Sequence, residues 1–161
     1  MAAAPAGGRD MRYAGFWRRF GAALVDGLVL AAVMTGLGAL GLPIYRHREF
    51  TAETSGLSVS TSFQVDYNEF GLALGLLLYW LYFAALESSR RQATLGKMAL
   101  GIKVTDLAGG RIGFGRATGR YFAKYLSAAI LMIGFVMAGF TARKQALHDL
   151  VAGTLVVDRT P

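Results

Sequence analysis

A run of apolar residues from Phe20 to Leu42 is broken by one charged side chain, Asp26, and closed by Pro43. At about 1.5 Å rise per residue, a helix of that length crosses a hydrocarbon core of about 30 Å with some tilt. Two further apolar runs follow: Phe70 to Leu86, at the short edge of the spanning range, and Tyr125 to Ala142, bracketed by Lys124 and Arg143-Lys144. Hydrophobic residues are 54% and charged residues 17% of the 161-residue chain, against about 25% charged in a typical soluble protein. The pattern predicts one membrane domain over 1–161, mainly α, with two spanning helices and a third apolar segment. The competing reading of the first run is a cleaved signal peptide with a basic start. The run is longer than the usual apolar stretch of such a peptide, about 7–15 residues, and it carries an acid, so a retained helix is expected.

Charge asymmetry predicts orientation. Arg9, Arg12, Arg18 and Arg19 precede the first run. The loop 43–69 sets Arg46 and Arg48 against Glu49, Glu53, Asp66 and Glu69. The segment 87–124 carries eight Lys and Arg against Glu87 and Asp106. The N-terminus and 87–124 are therefore expected in the cytoplasm and 43–69 outside. Tyr13, Phe16 and Trp17 at the start of helix 1, and Tyr79, Trp80, Tyr82 and Phe83 near the inner end of helix 2, fit aromatic belts. The third segment either spans once, which exports Arg143 and Lys144, or enters and returns with a turn near Gly134, which must be shielded by protein.

Gly101–Asp106 alternates apolar and polar side chains, Ala108-Gly109-Gly110 signals a turn, and Arg111–Phe114 alternates again. These features predict a cytoplasmic β-hairpin. Thr154–Asp158 has strand character too and would make a sturdier three-stranded element; that pairing favours the returning third segment. Arg116, Arg120 and Lys124, spaced by four, line one helix face and are candidates for anionic lipid headgroups, or simply for snorkelling at the interface. Gly71-x-x-x-Gly75 and the weaker Ala32-x-x-x-Gly36 are helix-packing patterns.

Asp26 is the most informative residue. A carboxylate within a spanning helix costs about 2.5–3.5 kcal/mol on insertion scales and needs a partner, water or a proton. Arg19 lies seven positions earlier on the same face, about 10 Å away along the axis. Ala22 and Ala23 between them would let a second helix approach. The pair either locks helix 1 to its neighbours or serves transport or binding. His148-Asp149 is a further proton-relay candidate.

Ala93-Thr-Leu-Gly-Lys97 lacks the upstream spacing of a phosphate loop, and Gly109–Gly115 sits in the wrong context for a dinucleotide fingerprint. With no cysteine and two separated histidines, no metal centre or other cofactor is expected. No nucleophile–base pairing is visible, so no enzymatic activity is expected, and no nucleic-acid partner.

Taken together, Tyr13–Asp26, Glu87 through Lys97, Gly101–Asp106 and Arg143–Thr154 resemble the RDD family of small bacterial membrane proteins, named for one arginine and two aspartates. The likeness runs from about Tyr13 to Val157; the loop 43–69 matches no motif of the family. The resemblance carries the arginine onto Arg19 and the aspartates onto Asp26 and Asp149. It implies a multi-span protein of the bacterial inner membrane with a transport role of undefined substrate. Two functions follow as expectations. In the first, a small solute or cation passes with proton coupling, Asp26 being the ion-binding acid, Arg19 tuning it, and Asp149 with His148 near the cytoplasmic mouth; a chain this small would work as a homo-oligomer. In the second, the protein is a non-transporting scaffold that binds lipid or a partner.

Overall fold

The computed structural model describes residues 11–48, 51–54, 57–60, 64–129 and 133–159. Arg9 and Glu49, used above to predict orientation, lie outside them. The chain is mainly helical, with small antiparallel strand pairs, and packs as two compact units: residues up to 28 together with 80 onward, and 29–79.

Helix α1 (Phe16–Ala39) and helix α2 (Glu69–Ser88) are long and apolar enough to cross a membrane. Their large apolar side chains, among them Leu24, Leu28, Val33, Leu72 and Leu76, point away from the protein. A core helix of a soluble protein buries such residues. Gly41, at φ +89°, ends α1: its N–H returns to the Gly38 carbonyl and that of Leu42 to Leu37, the paired bonds of a left-handed helix stop. Asn68 starts α2 by accepting from the Gly71 N–H at 2.8 Å.

Within 29–79, the connection between the two helices forms β1 (Tyr45–Arg48), β2 (Thr51–Thr54), β3 (Leu57–Ser60) and β4 (Gln64–Tyr67), as nested antiparallel pairs β1–β4 and β2–β3. Gly71 of the expected packing pattern lies against Ile44, where a Cβ would strike the Ile44 backbone, and Gly75 faces Met34. Gly36, by contrast, meets nothing.

The other unit continues with α3 (Leu95–Ala99), β5 (Ile102–Asp106), α4 (Phe114–Ala129), α5 (Ile133–Val136), a short 3-10 turn (Met137–Gly139), α6 (Leu147–Ala152) and β6 (Thr154–Asp158). The expected hairpin is corrected here. β5 pairs antiparallel with β6, Val104 opposite Val156, and not with 111–114. The turn after β5 does form, with Asp106 Oδ1 accepting from the N–H groups of Ala108 and Gly110. Beyond it the chain enters α4, since Gly113 accepts the first helical bond from Ala117. The third strand-like partner is instead the segment before α1: Ala14 N–H bonds Val156 O, and Asp158 N–H bonds Arg12 O. Ala14, Ala22, Ala84, Ile102, Val104, Ile112, Ala117 and Val156 form one buried cluster, joining this sheet to α1, α2 and α4.

The third apolar segment is not one helix. α4 stops at Ala129, and Gly134 of α5 lies so close to Ser127 that a Cβ there would stand 2.8 Å from the Ser127 Cα. The chain therefore folds back on itself, and α6 and β6 return to the sheet that holds β5.

Candidate functional site

Asp26 sits on α1, 1% exposed. Its Oδ1 accepts from the Tyr82 hydroxyl and from the Gly96 N–H, both at 2.7 Å, and its Oδ2 accepts from the Thr94 hydroxyl at 2.6 Å. Tyr82 in turn accepts from the Leu95 N–H at 3.1 Å. Thr94 caps α3 by accepting from the Lys97 N–H, so the first N–H groups of that helix are met by the Tyr82 hydroxyl, the carboxylate and the Thr94 hydroxyl in turn. The approach is possible because residue 96 is glycine: a Cβ there would run into the Ala22 carbonyl and come within 2.9 Å of the Asp26 carboxyl. Ala22 is buried at this crossing, as a small-residue groove on α1 predicts, whereas Ala23 is exposed.

Arg19 does not serve Asp26, contrary to the expectation from their spacing. Two turns of helix hold them about 10 Å apart, beyond a direct bond, and the guanidinium turns instead to Asp149. It pairs with Asp149 Oδ2 and donates to the carbonyls of Ala14 at 3.0 Å and Lys144 at 2.6 Å. Asp149 Oδ2 also accepts from the Ala146 N–H at 3.1 Å, which fastens the first turn of α6. On the other oxygen, Asp149 receives Arg120 Nε at 2.9 Å and a second guanidinium nitrogen.

Arg120 extends the chain of charges. Its remaining nitrogen spans both oxygens of Glu87, at 2.9 and 2.8 Å. Glu87 also pairs with Lys97, and Lys124 Nζ stands 3.8 Å from it and 3.7 Å over the Phe83 ring. The result is a buried line running Arg19–Asp149–Arg120–Glu87–Lys97, drawn from α1, α6, α4, α2 and α3. With Lys124 beside the line, two carboxylates face four cationic side chains.

Electrostatics follow from that imbalance. Burial works against the Arg120 charge, but Glu87 and Asp149 outweigh it and raise the guanidinium above its ordinary value. Burial would push Asp149 up, yet Arg120 and Arg19 hold its carboxyl far below the carboxylate range. Lys97 is lowered by burial despite Glu87. Lys124 is lowered to about 7, by burial and by the neighbouring Lys97 and Arg120 charges against the pull of Glu87. His148 is lowered to about 3 by burial and by Arg120, so its ring is neutral near pH 7; Nδ1 faces the Ser127 hydroxyl at 3.3 Å.

The structure gathers Arg19, Asp149 and His148 in one place and sets Asp26 in another. The headgroup face expected of Arg116, Arg120 and Lys124 is divided. Arg116 is exposed, Arg120 is 2% exposed and spent on two acids, and Lys124 turns inward beside Glu87. Glu87 and Lys97 have no place among the candidates drawn from the sequence, although both lie in the stretch that carried the family likeness. Their signal was an acid at the very end of an apolar run, with a lysine ten residues on.

Two membrane-length helices, fastened through buried ion pairs to short amphipathic helices and a small sheet, define the class: a small helical protein with a polar layer at one end of its apolar helices. The chain belongs to the RDD family, which matches residues 13–153. It is 32% identical over 155 residues to the uncharacterized protein YxaI of Bacillus subtilis (strain 168), covering 89% of this chain and 96% of that one. It is 34% identical over 152 residues to the uncharacterized membrane protein YteJ of the same organism, covering 90% of this chain and 80% of that one. A proline-rich antigen homolog of Mycobacterium tuberculosis is 30% identical over 87 residues, 53% of this chain and 36% of that one. No solved structure matches the chain. The site adds a physical reading of the three residues that the resemblance singled out: Arg19 and Asp149 are partners, and Asp26 is the anchor of α3.

Proposed function

We propose that the chain is an integral membrane protein, α1 and α2 crossing the bilayer with the basic layer on the cytoplasmic side, and that it works as a non-transporting scaffold. The observation that carries this reading is the Asp26 carboxylate. A carrier acid needs oxygen lone pairs free to meet a passing ion. Asp26 gives its oxygens to Tyr82, Thr94 and Gly96. Arg19, the residue that would tune it, belongs to Asp149. The same groups fasten α1, α2, α3 and α6 to one another, which is the work of a framework. The apolar outward faces of both long helices and the membrane designation of the relative YteJ support the bilayer part of the reading.

One observation favours proton-coupled transport of a small solute or cation. The buried layer holds more cations than carboxylates, and Lys124, lowered to about 7, can release and take a proton near neutrality. Purified protein in proteoliposomes, screened for flux of Na⁺, K⁺, H⁺ and small metabolites across a pH gradient, separates the two. The scaffold reading expects no flux above protein-free vesicles from folded protein. A pH-dependent flux that disappears in Lys124→Met overturns it in favour of transport.

A further inference from the structure

We infer that α4 lies in the boundary between headgroups and acyl chains of a lipid bilayer, as a third membrane-embedded element, with Phe122, Tyr125 and Leu126 turned toward the lipid. The inference rests on the reading that α1 and α2 cross that bilayer.

α4 is amphipathic with its faces exchanged. At about 100° per residue, Arg120, Lys124 and Ser127 fall on one side, and Phe122 and Leu126 fall roughly opposite. In a water-soluble helix the charged side faces out. Here Arg120 and Ser127 are buried and Lys124 turns in to Glu87, while Phe122 is 57% and Leu126 50% exposed. Tyr125, on the same outer side, is as open as Leu126, and its ring lies beside that of Phe122. A monomer in water rarely leaves so contiguous an apolar face uncovered.

The length of α4 decides how it would sit. Sixteen residues reach about 24 Å, short of a hydrocarbon core of about 30 Å. The chain then folds back through α5, Gly134 against Ser127, so the segment enters and returns. A fold-back at that depth must be shielded by protein, and Ser127 and Gly134, which meet there, are both buried. Past the turn the apolar exposure continues, with Phe140 at 86%. At the other end of α4, Arg116 is exposed, placed to reach headgroups as the helix dips in. In the same unit Trp17, Phe20 and Leu24 of α1 are exposed apolar residues as well, the outward side by which α1 is read to meet lipid.

The chain has no cysteine, which makes single-cysteine variants of the full-length protein a clean probe. Phe122→Cys and Leu126→Cys report on α4, Leu28→Cys on α1, and Ala108→Cys on the turn after β5. Tyr125→Cys repeats the α4 measurement should either of its companions fail to fold. Each is labelled with a maleimide fluorophore and reconstituted in phosphatidylcholine–phosphatidylglycerol vesicles with or without bromine on the acyl chains. The expected result is several-fold stronger quenching at 122 and 126 than at 108, alongside quenching at 28. If 28 is quenched while 122 and 126 are unquenched and react with a membrane-impermeant maleimide as fast as 108, the inference about α4 falls and the membrane reading stands. If 28 is unquenched too, both fall. If 122 and 126 escape the quencher and cross-link between copies, a second copy covers the face and the lipid assignment is overturned.

Discussion

Arg19 and Asp149 are 130 residues apart in the chain and share a salt bridge that ties the start of α1 to the first turn of α6. Asp149 is wholly buried and has both oxygens occupied, so the bridge is one half of a shared carboxylate whose other half belongs to Arg120. Removing one member of such a group strands the rest in a medium of low polarity, which costs more than the bond itself contributed.

Arg120 is the member whose loss strands the most, since it serves Glu87 and Asp149 together. Arg120→Met is expected to destabilise the folded protein by about 3–5 kcal/mol, read as a shift in detergent or urea unfolding. Glu87→Gln removes a bond that Arg120→Met has already broken, so the double variant should lose less than the sum of the two single losses. Simple additivity in the double-mutant cycle would contradict the ion-pair layer.

Asp26→Asn leaves one acceptor oxygen where three donors converge. The amide nitrogen would face either the Gly96 N–H or the Thr94 hydroxyl. A loss of about 1–3 kcal/mol is expected, with membrane insertion intact. Faster amide exchange in α3 should accompany it, measured by hydrogen–deuterium exchange, because that carboxylate holds the start of the helix.

Two glycines separate close approach from mere composition. Gly96→Ala pushes a methyl group into the Ala22 carbonyl and is expected to cost about 1–3 kcal/mol or more. Gly115→Ala on α4, where a Cβ meets nothing within 4 Å, should be neutral or stabilising by about 0.5–1 kcal/mol. Thermal unfolding of the pair checks both signs.

Lys124 and His148 set the pH dependence in one direction. Between about 7 and the ordinary lysine value of 10.5, the unfolded chain binds a proton that the folded protein does not, so stability rises with pH across that window. Lys124→Met should therefore gain stability relative to the parent as pH falls toward 7, and hold that gain below it. His148, lowered from 6.5 to about 3, adds a loss of stability as pH drops through that range. Melting temperatures from pH 4 to 10 read both, and a flat parent profile would count against the burial of these groups.

Much of the fold is legible in the sequence. Phe20–Leu42 and Phe70–Leu86 announce two long helices. Pro43 announces the end of the first. The Ala108-Gly109-Gly110 turn and the strand character of Thr154–Asp158 are local signals and appear where expected. Arg111–Phe114 misleads, because a four-residue alternation fits a strand edge and a helix entrance equally well, and β6 takes the edge of β5. The headgroup face of Arg116, Arg120 and Lys124 misleads for a related reason. Helical spacing places side chains on a common side without saying whether that side faces in or out.

The sequence by itself determined where apolar helices form and that Asp26 must find partners, because hydrophobic run length and the cost of a buried charge are properties of a single segment. Tertiary structure alone decided who the partners are. Arg19 and Asp26 on one helix stand too far apart to bond, so each charge is satisfied by groups from distant segments. Only the packing of α2, α3, α4 and α6 around α1 brings those groups within hydrogen-bonding reach.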